Sequence, residues 1–433
     1  MTNFAFELIS GKMLFTDIYA KMMIGLHSSN PARTSMLNKA RVFLNAIFVI
    51  DLLKKEWQKL GNEAKGILKY EFSFVLGMKD CDYKKCVKDI LTYRKIYGLK
   101  ENKDYIKKYL FDEMGLEKLS YQSLNDYTDE VFRKFEMTGL LIARGKFGHI
   151  YYDFSAFNLT KIESLLCEYK NYTFKEFKSV TEYIDFLSNI KLPWLVSEKV
   201  RKELIENKAK NLEIKLKEND FSDLNVLEET LNQQFYNKAL QSKIVQSEVA
   251  VLLDELRILA SLIKKESQFE SIPEPLRLEY LLALILGKKY GIKNLTSNLI
   301  YNENGIPLSY APAGKADLTY QNCLFEATMI KNRNQQLNSE TTSIARHMKE
   351  NYDKDLRTLL IAPYIHWDVA LFFKFCAKEF SSKLAPITIA NFITLIEKSD
   401  KFSDFKANFD KFFVNNLTQN KTDEYIDFVN FKE

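Results

Sequence analysis

The stretch GKADLTYQNCLFEATMIKNRNQQ, residues 314–336, decides how the second half of this 433-residue chain is read. Ala316–Tyr320 and Leu324–Met329 each have the apolar, β-prone texture of a short strand. Asp317 stands at the start of the first and Glu326 lies within the second. Side chains alternate faces along a strand, so Glu326 and Thr328 point the same way. A carboxylate in an otherwise apolar strand is costly unless something cationic meets it. By itself Glu326 would read as a strand carboxylate paired with a lysine. Two carboxylates from adjacent strands aimed at one point form instead a hard oxygen site suited to Mg²⁺. Such an ion can hold a phosphodiester oxygen, lower the pKa of a bound water and stabilise developing charge.

Working outward, Pro273 and Pro275 close off what precedes, and the pattern becomes mixed. Helix Leu276–Lys289, strand Ser297–Tyr301, the two strands above, helix Thr341–Tyr352, strand Thr358–Pro363 and helix Trp367–Phe380 follow in turn. A last strand, Pro386–Ala390, precedes a helical tail. The order predicts an α/β core with a small central sheet. Upstream, Ser197–Lys265 is dense in Lys, Glu, Leu and Asn with no Pro or Gly. It reads as long solvated helices, an antiparallel hairpin broken near Asn219–Asp223, serving as a spacer between two working parts.

The first half is helical: Ser35–Leu53 follows the Asn30-Pro31 turn with Thr34 or Ser35 as cap, and Gly61–Tyr97 continues the helical pattern. Then Asp126–Met137 reads as an amphipathic helix stopped by Gly139. Strand Leu140–Ala143, a turn at Gly145–Gly148 and strand Ile150–Phe154 come next. Helix, strand, turn and strand are the outline of a winged helix, although any helix followed by a hairpin looks similar. The expected class is therefore α+β, mainly helical. It comprises a helical and winged-helix-like region over 1–190, a helical linker over 191–270 and an α/β domain over 271–433.

Composition narrows the class further. Hydrophobic residues at 46% and charged residues at 27% suit a globular chain, and 32 Phe with 23 Tyr are too many for disorder. No apolar run is long enough to span a membrane, and the N-terminus lacks the pattern of a secretory signal. The five Cys are scattered; Cys81 and Cys86 have no second Cys/His pair at zinc spacing, so a reduced, cytoplasmic setting is expected. Residues 1–100 carry 17 basic against 9 acidic side chains, whereas residues 196–433 carry 32 against 33. A basic front half beside a neutral back half suits a protein that holds phosphates with one part and acts with the other.

Asp317, eight residues, Glu326, one residue and Thr328 resemble the PD-(D/E)XK nuclease motif, with Thr at its usual Lys. The surrounding residues sharpen the likeness. Gly305-Ile-Pro-Leu-Ser-Tyr-Ala-Pro-Ala-Gly-Lys-Ala-Asp317, Phe325-Glu-Ala-Thr-Met, Arg333-Asn-Gln-Gln and Arg346-His347 resemble the catalytic domain of the AlwI family of type IIS restriction and nicking endonucleases. Glu279 in Arg277-Leu-Glu-Tyr matches that family's preceding helix. Thr138-Gly-Leu-Leu-Ile-Ala-Arg-Gly145 looks like its second recognition subdomain, and Asn171-Tyr-Thr like the join after it. The likeness runs from near the start of the chain to about residue 400. Longer members carry a further N-terminal recognition subdomain, whose end Leu8-Ile-Ser-Gly-Lys-Met resembles. Recognition here is then more compact, or the sequence lacks its beginning.

The resemblance implies an endonuclease that binds a short asymmetric site in double-stranded DNA and cuts some bases away. Asp317, Glu326 and the Ala327 carbonyl would bind Mg²⁺, and Glu279 would complete or orient that shell. Glu340 and His347 match a family glutamate followed seven residues later by histidine, placed to position water or contact the scissile phosphate. With Thr328 in place of Lys, the activation of water falls to Lys331, Gln336, His347 or a second metal ion. Candidate DNA contacts are Arg33, Lys39 and Arg41 on the helix after Pro31, Arg133 and Lys134 before the wing, and Arg144 and Lys146 on it. One active site cuts one strand, so double-strand cleavage implies a transient dimer or a second catalytic subunit. The competing expectation is a non-catalytic winged-helix DNA-binding protein with a degenerate nuclease domain. A third is an assembly protein that works through its Ser197–Lys265 helices.

Overall fold

A computed structural model describes residues 13–32, 39–114, 121–145, 150–311, 315–350, 355–380 and 383–418. The chain is α+β and mainly helical, and it divides into two compact units, Met1–Phe235 and Tyr236–Glu433.

The first unit contains α1 (Phe15–Gly25), α2 (Val42–Lys59), α3 (Phe72–Leu76), α4 (Tyr83–Tyr97), α5 (Lys103–Met114), α6 (Tyr121–Glu136), α7 (Leu159–Glu168), α8 (Val180–Ser188) and α9 (Glu198–Asn211). A small antiparallel sheet, β1 (Ile67–Leu68), β2 (Leu141–Arg144) and β3 (Tyr151–Phe154), has the order β1-β3-β2. Helix α2 is its central post: Phe43–Ile50 are all buried, because nearly every position there is apolar rather than every third or fourth. The helix starts later than the sequence suggests. Lys39 N–H donates to Lys79 O at 2.7 Å and Ala40 N–H to Ser28 Oγ at 2.9 Å, while Ala40 O accepts from Ser28 N–H at 2.8 Å. A backbone committed to those partners cannot enter a helix. Residues 33–38, including the expected caps Thr34 and Ser35, lie outside the described residues.

Gly61–Tyr97 is not one helical pattern either: it contains β1 and breaks before α4. There, Glu71 and Arg94 form a fully buried two-pronged ion pair with contacts of 2.8 and 2.7 Å, and Arg94 also donates to Gly66 O at 2.7 Å. Gly66 passes so close to β3 that an added Cβ would lie 1.9 Å from Tyr152 O. Helix α6 ends at Gly139, whose φ of 70° suits glycine, and Glu136 Oε1 accepts from Ala143 N–H at 2.9 Å, tying the helix end to β2. Phe132 and Tyr152 stack with centroids 3.4 Å apart, holding α6 on β3.

The Lys/Glu-rich run Ser197–Lys265 is helical, with a break between Leu212 and Asp223, but it is not simply solvated. It forms α9, α10 (Leu224–Gln246) and α11 (Val249–Leu259), and the boundary between units falls inside α10. Glu228 and Lys208 are buried.

In the second unit α12 (Glu274–Tyr290), opened by Pro275, is buried from Leu276 through Gly287. The strands are β4 (Leu295–Ser297), β5 (Ile300–Tyr301), β6 (Pro307–Ser309), β7 (Leu318–Tyr320), β8 (Cys323–Ala327), β9 (Arg357–Ala362) and β10 (Lys383–Thr388). Five of them form one mixed sheet in the order β10-β9-β8-β7-β4; β8, β9 and β10 run parallel, while β7 and β4 are antiparallel to their neighbours. Crossovers carry α13 (Thr341–Glu350) between β8 and β9 and α14 (Trp367–Glu379) between β9 and β10; α15 (Ile389–Glu397) and α16 (Phe402–Thr418) close the fold. The expected strand Ser297–Tyr301 is two strands in two sheets. Asn298 forces the corner, its N–H donating to Asp317 O at 3.1 Å and its amide to Ala316 O at 2.7 Å.

Candidate active site

The β7–β8 pairing sets the geometry. Leu318 faces Phe325 in antiparallel register, so one step further Asp317 faces Glu326 across the ladder. Directly opposed residues share a face. Asp317 Oδ2 accepts from Ala327 N–H at 2.8 Å, which fixes the carboxylate against β8. Parallel pairing to β9 continues past the strand end, where Thr328 N–H donates to Ile361 O at 3.0 Å.

Three further groups from separate elements complete the cluster. Glu279 comes from the middle of α12 and is buried, as is Glu326. His347, on α13, places Nδ1 within hydrogen-bond distance of Glu326 Oε1, at 2.8 Å. Thr328 Oγ donates to Glu340 Oε1 at 3.2 Å from a hydroxyl that itself accepts Ile330 N–H. Glu340 ends a π-helical segment, Gln336–Glu340, that runs into α13; such widened turns recur at functional sites.

The electrostatics follow from this crowding. Burial first, then Asp317, Glu326 and Glu340, push the Glu279 carboxyl up to about 9. Burial and then Glu326 push Asp317 up to about 8, although the Ala327 N–H pulls the other way. Burial also raises Glu326 against the opposing pull of His347, and raises Glu340 against that of Thr328. Among the described residues no Lys or Arg relieves these four carboxylates. Glu279 Oε2 is buried without a hydrogen-bond partner. Acids drawn together in this way fit a missing cation. Among the described residues no three His, Cys, Asp or Glu side chains close on one point. Mg²⁺ does not need that: it commonly takes one or two carboxylates and leaves its other positions to water and phosphate oxygen. Asp317, Glu326 and the Ala327 carbonyl make up a set of that kind.

Other sequence candidates are spent elsewhere. Gln336 is fully buried; its amide donates to Ile330 O at 3.1 Å and Tyr364 O at 2.9 Å and accepts His366 N–H, so it clamps loops and cannot activate water. His366 stands at the strand-to-helix junction as N-cap of α14, its Nε2 2.8 Å from Lys331 O. Sequence reasoning missed Asn298, which anchors the residues leading into Asp317; a single Asn in an expected strand gives no signal of that role.

The basic candidates divide in the same way. Arg33 and Lys146 lie outside the described residues. Lys39 and Arg41 precede α2 instead of lying on it. Lys39 is exposed and pairs with Glu176. Arg41 is 6% exposed, donates to Ile24 O at 2.6 Å and packs on the rings of Tyr169, Tyr172 and Phe186. That guanidinium is a core strut that points away from solvent. On the last turn of α6, Arg133 is half-buried, and exposed Lys134 pairs with Glu130 at 2.6 Å. Arg144 on β2 is half-buried and donates to Phe154 O at 3.2 Å.

Comparison with known proteins gives three findings. A family model described as AlwI restriction endonuclease matches residues 1–395. Among solved structures, the small subunit of the heterodimeric restriction endonuclease R.BspD6I is similar at 21% identity and a TM-score of 0.35, over 42% of this chain and 97% of that one. No curated protein matches.

Proposed function

From the chain's membership of the AlwI restriction endonuclease family, and hence its standing as a DNA nuclease, we propose a Mg²⁺-dependent type IIS-like mechanism. The helical and winged-helix-like region over 1–190 binds a short asymmetric DNA site. A helical linker over 191–270 leads to a PD-(D/E)XK-like nuclease domain over 271–433, which hydrolyses phosphodiester bonds at a distance from that site. The observation that carries the reading is the cross-strand pair Asp317 and Glu326, set beside two further carboxylates and, among the described residues, relieved by no Lys or Arg.

Asp317, Glu326 and the Ala327 carbonyl hold the ion, and Glu279 orients that shell from α12. When bound, Mg²⁺ supplies a Lewis acid for a phosphate oxygen and a water of lowered pKa. His347, set by its bond to Glu326, and Glu340, set by Thr328, position the attacking water or contact the scissile phosphate. One active site cuts one strand, so a double-strand break draws on a transient dimer or a second catalytic subunit, and a lone site nicks.

Incubation of the purified chain with plasmid and Mg²⁺ should give discrete fragments or a nicked circle. Asp317→Ala and Glu326→Ala should abolish cutting and leave DNA binding nearly unchanged. Undiminished cutting by either variant would overturn the site. Sound, salt-sensitive DNA binding with no cutting of any substrate would favour the degenerate-nuclease reading instead.

A further inference from the structure

A second built site lies in the first unit. Directly after β3, the chain turns through Ala156–Lys161 into α7 and faces α9 across a cavity of about 300 Å³, room for roughly ten waters. Its polar lining is Lys161, Lys208 and Lys210 with Asn158, Thr160, Asn207 and Asn211, and no acid is among the lining residues. Lys210, Asn207 and Asn211 form an exposed rim, while Asn158, Lys161 and Lys208 are buried at the floor.

The floor lysines are held from behind. Lys161 Nζ donates to Asp17 Oδ1 at 2.8 Å and lies 2.9 Å from Glu228 Oε1; Lys208 Nζ donates to Glu228 Oε1 at 2.8 Å and to Asn232 Oδ1 at 2.9 Å. An ammonium has three N–H donors, so Lys208 keeps one beyond these two. Arg201 adds a third cation at Glu228, with Nη2 3.4 Å from Oε2. With Glu229, whose carboxyl feels both floor lysines, the charges balance behind the floor, and Lys210 on the rim tips the site positive. Burial, and next the charge of Lys161, bring Lys208 down to about 8 against the pull of Glu228. Asn158 Oδ1, buried on the same floor, has no hydrogen-bond partner, while its amide donates to Gly139 O at 2.8 Å. An orphaned acceptor on a floor that also carries two ammonium groups suits a hydrated anion, whose water supplies the missing O–H.

We propose that this cavity is a phosphate site that takes one backbone phosphate of the bound DNA. Its position gives the reason: Asn158 bonds to Gly139 and Ser155 N–H to Leu140 O, so the floor is braced on the residues that open the β2–β3 hairpin. A phosphate gripped there fixes the register of the duplex against that hairpin without reading sequence. The proposal rests on the reading of this chain as a DNA-cutting enzyme.

The test titrates the full chain with a labelled duplex in metal-free buffer, where no cleavage occurs, over a range of salt concentrations. Lys210→Gln should flatten the dependence of log affinity on log salt by about 0.9, one phosphate's worth. Asn207→Asp, which adds a rim charge and disturbs no buried group, should weaken binding at low salt. Lys199→Gln, exposed on the same helix and outside the lining, should leave affinity and slope unchanged. Wild-type slope and affinity in both cavity variants, with their melting temperatures intact, would overturn the proposal. So would inorganic phosphate raising the melting temperature of the wild type, but not of Lys210→Gln, while the DNA slope stays the same in both. Absence of salt-dependent DNA binding in the wild type would sink the nuclease reading as well. Silent cavity variants beside a binding wild type would leave that reading standing.

Discussion

At the scale of single residues, the sequence placed Asp317 and Glu326 on neighbouring strands because strand alternation is a short-range rule. What surrounds them is long-range. That His347 meets Glu326 and Glu340 meets Thr328 depends on how α13 folds back, and no local pattern encodes that. The basic residues were least legible, since an arginine bound to a carbonyl inside the core, as Arg41 is, has the same letter as one facing solvent. Two predictions belong here. Added Mg²⁺ should raise the wild-type stability by ~2.7 kcal/mol at a hundredfold excess over Kd. Asp317→Asn should lose that response while melting at or above the metal-free wild type; calorimetry with and without Mg²⁺ decides it. The second concerns His27, buried among Phe174, Phe177, Tyr183 and Phe186, with Nδ1–H on Gly25 O at 2.8 Å. Burial, followed by nearby Arg41 and Lys175, lowers its pKa to about 4 against the pull of the Gly25 carbonyl. The unfolded chain therefore takes up the proton first as pH falls. Stability should drop by about 3 kcal/mol between pH 6.5 and 4. Denaturant melts of His27→Gln should show a flatter profile over that window.

At the scale of elements, the long helices and most strands of the second unit were readable from periodicity. The errors fall where side chains override it. Ser297–Tyr301 ends in the β-prone run Leu-Ile-Tyr, yet Asn298 breaks the strand by binding the Asp317 loop. The start of α2 is delayed by backbone bonds to Ser28 and Lys79 that lie far away in sequence. The Ser197–Lys265 run looked solvated because composition cannot tell a lysine on water from one on Glu228. Gly66→Ala should cost at least about 2 kcal/mol, because the new methyl displaces Tyr152 O and with it the β1–β3 pairing; chemical denaturation measures this. The β7–β8 turn offers the sharper test. Gln321 holds φ at 48°, so Gln321→Gly should stabilise by about 1 kcal/mol and keep the active-site pairing. One residue inserted after Gln321 should instead shift the ladder by a step. That would turn one carboxylate of the pair to the opposite face and abolish cleavage with every acid still present.

At the scale of the whole molecule, the family fixes the chemistry as DNA cleavage, and the acid cluster bears on how many strands one chain cuts. If pairing of two chains completes the break, nicked plasmid should dominate at low enzyme concentration. Linear product should then rise faster than in proportion to enzyme; a linear fraction independent of concentration would rule out such pairing. The passage of α10 through the boundary between units matters to anyone wishing to separate them or graft one onto another protein. Leu231 packs into the first core, whereas Leu240 and Ile244 pack into the second. A splice at residue 235 would sever one helix and strip an oily stripe bare on both pieces. A splice in the loop at 260–273 would leave α10 and α11 whole with the first unit, and one in the bend at 212–223 would leave them whole with the second.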